Sequence, residues 1–314
     1  MKLVSIPANP VPDDAVAGNI KTSDGVNLRF ARFAPPPGRK GTVVVLQGRA
    51  EFIEKYFETA RDLRARGFAV ATFDWRGQGL SDRRLSDRRK GYVRDFSQYA
   101  TDLDTVMAQV VLPDCPPPIY CLAHSMGAAV VIRACHSGRR WFDRVVLSAP
   151  MIGLPPGRLR TMTGTLARLL RYMGRGGAYV PSGGPEPSGA ENFLGNLLTS
   201  DPVRYARNAA VLEVEPALGL GAPTVAWTDA ALKQMKQLRS PGYAAQIRQP
   251  ILLVAAGRDQ VVSTPAIEEF GLHLLAGRHL ILAGSRHEIL QEQGQYRDQF
   301  WAAFEAFVPG TPRY

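Results

Sequence analysis

Cysteine is scarce in this chain, with three residues in 314, Cys115, Cys121 and Cys135. The number is odd and the spacing is not that of metal ligands, so neither a disulfide framework nor a structural metal site is indicated. Cys121 lies in the apolar run PIYCL and Cys135 at the end of AAVVIRAC, as reduced intracellular cysteines do. Long hydrophobic runs are missing too. No stretch approaches the ~18 apolar residues of a membrane span, and the few apolar residues after Lys2 are too short for a secretory signal, so a cytoplasmic location is expected. Acidic residues fall short of basic ones, 28 against 38, for a net charge of +10. Much of the excess sits in SDRRLSDRRKGYVR, where the basic loop 83–94 carries Arg83, Arg84, Arg88, Arg89, Lys90 and Arg94 against Asp82 and Asp87. Such a run reads as a solvated loop or as a patch drawn to anionic phospholipid, giving peripheral contact with the inner face of a membrane. It lacks interleaved aromatics and belongs to no recognition motif, so no nucleic-acid partner is expected. With 45% hydrophobic residues, the chain is long enough for one large α/β domain with an insertion.

The order of elements follows from periodicity. Val26 to Pro36 alternates like an early antiparallel strand. TVVVLQG is an unbroken apolar run, as in a strand buried on both faces, and FIEKYFETARDLRARG follows as an amphipathic helix ending at Gly67, a residue suited to a left-handed cap. FAVATFDW, a helix from about Phe96 to Val111, PIYCL, AAVVIRAC and DRVVLSAP continue the alternation, which predicts a mostly parallel sheet with helices on both faces. The alternation stops between Met151 and Tyr243. This divides the chain into a core, 1–150 and 244–314, and an insertion, 151–243. Within it, Met162, Leu166, Leu169, Leu170 and Met173 share one helical face, which either packs on the core or roofs a site as a lid over an acyl chain.

Ser125 lies in AHSMG, between a strand and a helix, the setting of a nucleophile elbow. Small residues are required on either side because strand and helix backbones nearly touch there; Ala123 replaces the usual glycine at the cost of one methyl. Alone, Ser125 would equally serve as a helix cap. Its partners change the balance, because an attacking serine needs a base and an acid that orients the base, in the order Ser, Asp, His. Asp259 follows the strand Pro250 to Ala256 and His287 follows the strand His279 to Ala283, with room between them for one helix at about Pro265 to Leu275. Both fall at strand carboxyl ends, where open parallel sheets collect their functional groups.

LQGRAEFIEKY, FDWRGQGLSDR, AHSMG, VVLSAP, GRD and SRHE together resemble the bacterial lysophospholipase and monoacylglycerol lipase branch of the α/β-hydrolases, in order over about residues 25 to 310. The resemblance implies a helical cap insertion and a cofactor-free serine hydrolase acting on a small single-chain lipid ester through an acyl-enzyme. It also implies an oxyanion hole formed by the backbone N–H groups of Arg49 and Met126, with Gln47 where the family has histidine. Glu51 and Tyr56 then brace the oxyanion loop or are simply structural, and Arg76 and Gln78 support the site as a tight turn. A general carboxylesterase, thioesterase, iminopeptidase, haloperoxidase or acyltransferase would share these parts. So would a ligand-binding protein that has lost catalysis, although such a chain usually lacks one of the three groups. An epoxide hydrolase or haloalkane dehalogenase is disfavoured, because each would carry aspartate at position 125.

Overall fold

A computed structural model describes residues 3–35, 40–181, 183–189 and 192–308; the side chains of residues 158–163 are outside that description. Eight strands form one sheet in the order β1-β2-β4-β3-β5-β6-β7-β8. β1 (Ala15–Lys21) and β2 (Asn27–Phe33) are antiparallel to each other, and β2 is antiparallel to β4 (Ala69–Phe73). From β4 onward, β3 (Thr42–Leu46), β5 (Ile119–His124), β6 (Arg144–Ser148), β7 (Ile251–Ala256) and β8 (Gly277–Leu282) run parallel. β3, β4, β5 and β7 are buried at every position, which is why they read as unbroken apolar runs: helices cover both of their faces. β1 escaped the periodicity reading. It is an edge strand with no fully buried residue, so its AVAGNIK carries little alternation.

α1 (Phe57–Ala65) ends as expected: Gly67 has φ +96° and closes the helix. α2 (Ser97–Val106) runs on through a π-helical turn, Met107–Val111, into the short α3 (Leu112–Asp114). α4 (Ser125–His136) leaves the sheet directly from β5. Between β6 and β7 stand α5 (Arg158–Tyr172), α6 (Pro202–Val214) and α7 (Val225–Leu238); α8 (Thr264–Leu272) and α9 (Gly294–Phe307) complete the chain. α7 shares the main core through Trp227, Ala230, Ala231, Met235 and Leu238, whereas Val211, Leu212 and Leu218 join Ile6 and Phe52 in a small second core. Charge also ties the insertion down. Glu58 on α1 receives Arg204 and Arg207 from α6 and Arg297 from α9.

The apolar stripe of α5 does not roof a site. Leu166, Leu169 and Met173 are 41%, 56% and 61% exposed, and Leu170 is half-buried. The Met162 side chain lies outside the described residues. The reason is that α5 docks on α7 by its small side: Ala167 is buried, Gly164 sits against Leu232, and Arg168 and Arg171 reach Asp229. Close approach through small residues and an ion pair turns the larger apolar side chains outward.

Arg29 is fully buried on β2 and donates from Nε to Asp74 (2.7 Å) and from both terminal nitrogens to Glu54 (2.7 and 2.8 Å). Asp74 in turn accepts from the backbone N–H groups of Ile53 and Leu80, so one charge cluster fixes the ends of the two loops that follow β3 and β4. Removing the cation strands two buried carboxylates. Arg29→Met should therefore lower unfolding free energy by about 3–5 kcal/mol in urea titrations near neutral pH. The difference should narrow in acid, where protonation removes the unpaired charge. An unchanged urea midpoint would show that the cluster does not hold these loops.

Candidate active site

Ser125 follows the last residue of β5 with φ +47°, a left-handed conformation that non-glycine residues seldom adopt. The strain is enforced by neighbours. A Cβ on Gly127 would stand 2.5 Å from the Gln47 carbonyl and 2.8 Å from that of Leu46, so α4 starts in backbone contact with the end of β3. Ala123 is accommodated within β5, paired to Leu46 on one side and Leu147 on the other.

The three residues expected from chain order meet here. Ser125 Oγ lies 3.0 Å from His287 Nε2, and His287 Nδ1 lies 2.7 Å from Asp259 Oδ2. Asp259 and His287 leave the ends of β7 and β8, which are adjacent parallel strands. The other Asp259 oxygen accepts from the N–H groups of Val261 (2.7 Å) and Val262 (2.9 Å), which locks the carboxylate's orientation. Burial pushes this carboxyl up, but His287 and the two N–H groups outweigh it and hold it below its ordinary value, as an anion. A carboxylate, an imidazole and a hydroxyl so linked can pass the hydroxyl proton to the ring as the oxygen attacks a carbonyl.

Two main-chain donors stand in the segments on either side of Ser125. Met126 is in the first turn of α4, where N–H groups have no partner within the helix. In the loop after β3, the Gly48 N–H is taken by Glu51 and the Ala50 N–H by Gln78 Oε1 (3.3 Å), while the intervening Arg49 N–H has no acceptor among the described residues. Gln78 also donates to the Gly48 carbonyl (2.8 Å), so its side chain links the loop after β4 to the loop after β3. Arg76 is occupied with Asp102 and Asp24. Gln47 lies behind the loop, its Nε2 donating to Thr72 (3.3 Å) and its carbonyl accepting from Trp75 Nε1 (2.9 Å).

Glu51 accepts from Tyr56 Oη (2.8 Å) and faces Lys55 Nζ (3.2 Å), which also binds Glu288 (2.6 Å). Burial pushes the Glu51 carboxyl up, but Lys55, His124, Tyr56 and Gly48 bring it down to about 2. Glu288, with burial dominant and Glu51 nearby, is raised. Burial depresses the imidazole of His124 to about 4, so it stays neutral beside His287. Lys55 and the bracing role of Glu288 were missed in the sequence; the available signals were the Glu51–Lys55 spacing of one turn and the position of Glu288 next to His287. Ser125 and His287 open into a cavity of about 370 Å³ lined by Met151, Leu154, Leu198, Trp227, Val261 and Val262 among others. Leu166, Leu169 and Met173, the expected lid residues whose side chains are described, do not line it. A larger open depression of about 900 Å³ between α5 and α7 shares no lining residue with it.

Residues 37–294 match the family profile described as serine aminopeptidase, S33. The chain belongs to that family. It is 32% identical to lysophospholipase L2 of Escherichia coli over 87% of this chain and 82% of the relative. It is 25% identical to a monoacylglycerol lipase of Mycolicibacterium smegmatis over 86% and 89%. Among solved structures, a soluble variant of Saccharomyces cerevisiae monoglyceride lipase superposes with a TM-score of 0.72 at 18% identity, over 94% of this chain and 96% of that one. A carboxyl esterase of Bacillus coagulans gives 0.72 at 17%, over 94% and 98%. The fold is that of the α/β-hydrolases, and this S33 member is a hydrolase.

The contact at Gly127 makes a prediction. Gly127→Ala adds a methyl to a place without room for it, so it should cost about 1–3 kcal/mol of stability. It should also abolish labelling of the folded fraction by a fluorophosphonate, because the elbow must open to admit the methyl. Normal labelling in the variant would refute the need for backbone contact here.

Proposed function

We propose that this S33 member hydrolyses the carboxylic ester of a single-chain lipid, lysophospholipid or monoacylglycerol, with Ser125 as nucleophile, His287 as base and Asp259 as the acid that orients it. The observation that carries the reading is the unbroken chain of hydrogen bonds from Ser125 through His287 to Asp259 at the floor of an apolar cavity. Ser125 attacks the acyl carbonyl as its proton moves to His287 Nε2. The N–H groups of Arg49 and Met126 receive the oxyanion, an interaction of about 3–4 kcal/mol per donor. The leaving alcohol takes the proton from His287, and water then releases the fatty acid by the same steps. Glu51, Tyr56 and Gln78 brace the donor loop.

Peptide hydrolysis from an amino terminus is less well served. A free ammonium group needs an anion to receive it, and among the described residues the two cavity carboxylates, Glu51 and Glu288, are both engaged by Lys55. Helices α5 to α7 act in this reading as a cap. The exposed Leu166, Leu169, Tyr172 and Met173, together with exposed Arg84, Arg88, Arg89 and Arg94, suit contact with an anionic lipid interface.

A fluorophosphonate should label Ser125 once and Ser125→Ala not at all. His287→Ala and Asp259→Asn should each lower kcat by roughly three orders of magnitude or more at little cost in stability. Near-normal activity in Asp259→Asn would transfer the orienting role to another carboxylate.

For the substrate, kcat/KM should climb with acyl length, each buried methylene contributing about 0.8 kcal/mol until the cavity is full. Val262→Asn or Leu154→Asn should flatten that climb and Leu166→Asn should not. Turnover on anionic vesicles should exceed that on neutral ones and fall with salt. Preference for acetyl over lauroyl esters would leave a general carboxylesterase, and equal turnover on both vesicle types would remove the interface contact.

A further inference from the structure

Arg49 contributes more than a backbone N–H to the cavity wall. Arg49 lines the same cavity as Ser125 and His287, and no carboxylate pairs with its side chain among the described residues. Among the described residues, one of its N–H bonds, on Nη2, donates to the Gly221 carbonyl at 2.6 Å, and Nε has no hydrogen-bond partner. The guanidinium carbon lies 5.1 Å from the centre of the Trp227 ring, within cation–π range. Burial lowers the Arg49 guanidinium to about 10, with only the hydroxyls of Tyr99 and Tyr179 offsetting it, so the group remains a cation at neutral pH, and no described carboxylate neutralises it. The other cation of the cavity is spoken for, since Lys55 is held between Glu51 and Glu288.

A buried cation without a counter-ion is costly, and the cost is relieved when an anion enters. The planar guanidinium matches phosphate with two parallel N–H donors. Position agrees with chemistry. The oxyanion donor and the guanidinium belong to one residue, so the cation stands one side chain away from the reacting carbonyl, a span comparable to a glycerol between its ester and its phosphate. Resting on the single-chain lipid reading above, we propose that the Arg49 side chain binds the head-group phosphate of a lysophospholipid and selects it over monoacylglycerol.

The test compares kcat/KM for 1-oleoyl lysophosphatidylglycerol and 1-monooleoylglycerol in neutral detergent micelles, using the full chain as wild type, Arg49→Lys and Arg49→Met. Both variants keep the main-chain N–H. Wild type should favour the phosphate-bearing ester. In Arg49→Met the ratio of the two should fall by roughly tenfold or more, the factor for one lost charge-assisted hydrogen bond, with Arg49→Lys between. A ratio that does not move, even if both rates drop, would assign Arg49 to holding the Gly221 segment and overturn the proposal; so would a wild type that cleaves both lipids equally. If Arg49→Met does not fold, Arg49→Lys must still lower the ratio. Inorganic phosphate separates the sources of the anion. Competition that disappears with Arg49 means that the site accepts free phosphate as well, no competition beside a shifted ratio means that it needs the lipid-borne group, and competition that persists in Arg49→Met counts against the site. A wild type that cleaves p-nitrophenyl butyrate but neither lipid would overturn the lipid reading and this inference together, a result distinct from an unchanged ratio.

Discussion

Backbone contact between the start of α4 and the end of β3 is the constraint on which the site depends. With a Cβ-sized gap closed at Gly127, the chain can leave β5 only by a turn sharp enough to hold Ser125 at φ +47°. That turn sets Ser125 at the start of α4 and keeps the loop after β3 beside it. The placement of Ser125 is thus a consequence of one steric fact, and the sheet's parallel register supplies the rest by delivering Asp259 and His287 on neighbouring strands.

Buried charge does the remaining positioning. Lys55 binds one carboxylate on the donor loop and another beside His287, so the two halves of the site are linked through an ammonium group. Arg29 does the same for the loops after β3 and β4, and Glu58 for α1, α6 and α9. Buried pairs of this kind contribute little net stability compared with apolar packing, but each charge removed leaves its partner stranded, which makes alternative loop positions costly.

The legible parts of this sequence were those governed by periodicity and chain order. Strands buried on both faces, such as β5 and β7, are largely apolar, and a serine, an aspartate and a histidine placed after β5, β7 and β8 converge because parallel strands end on one side. What escaped depends on which neighbour a surface meets. The stripe of Leu166, Leu169 and Met173 signals an amphipathic helix, but not its partner; the choice was made by Gly164, Ala167 and Arg171, whose fit to α7 outweighs the larger apolar area. The cavity at Ser125 instead draws on Trp227, Leu198 and Val262, scattered over three segments that no periodic pattern joins. Lys55 and Glu288 are 233 residues apart and carry no local sign of meeting. β1 is an edge strand, where alternation is weakest.

The three cysteines, unremarked in the chemistry, have a consequence for the environment in which the protein can work. Cys121 is within β5 and Cys135 within α4, on either side of the elbow, and burial pushes their thiols up, that of Cys135 to about 12 and that of Cys115 to about 11. Thiolate is the form that reacts with peroxide, disulfides and alkylating agents, and none of these thiols supplies it near neutral pH. The elbow is therefore flanked by thiols that burial keeps in the protonated, less reactive form.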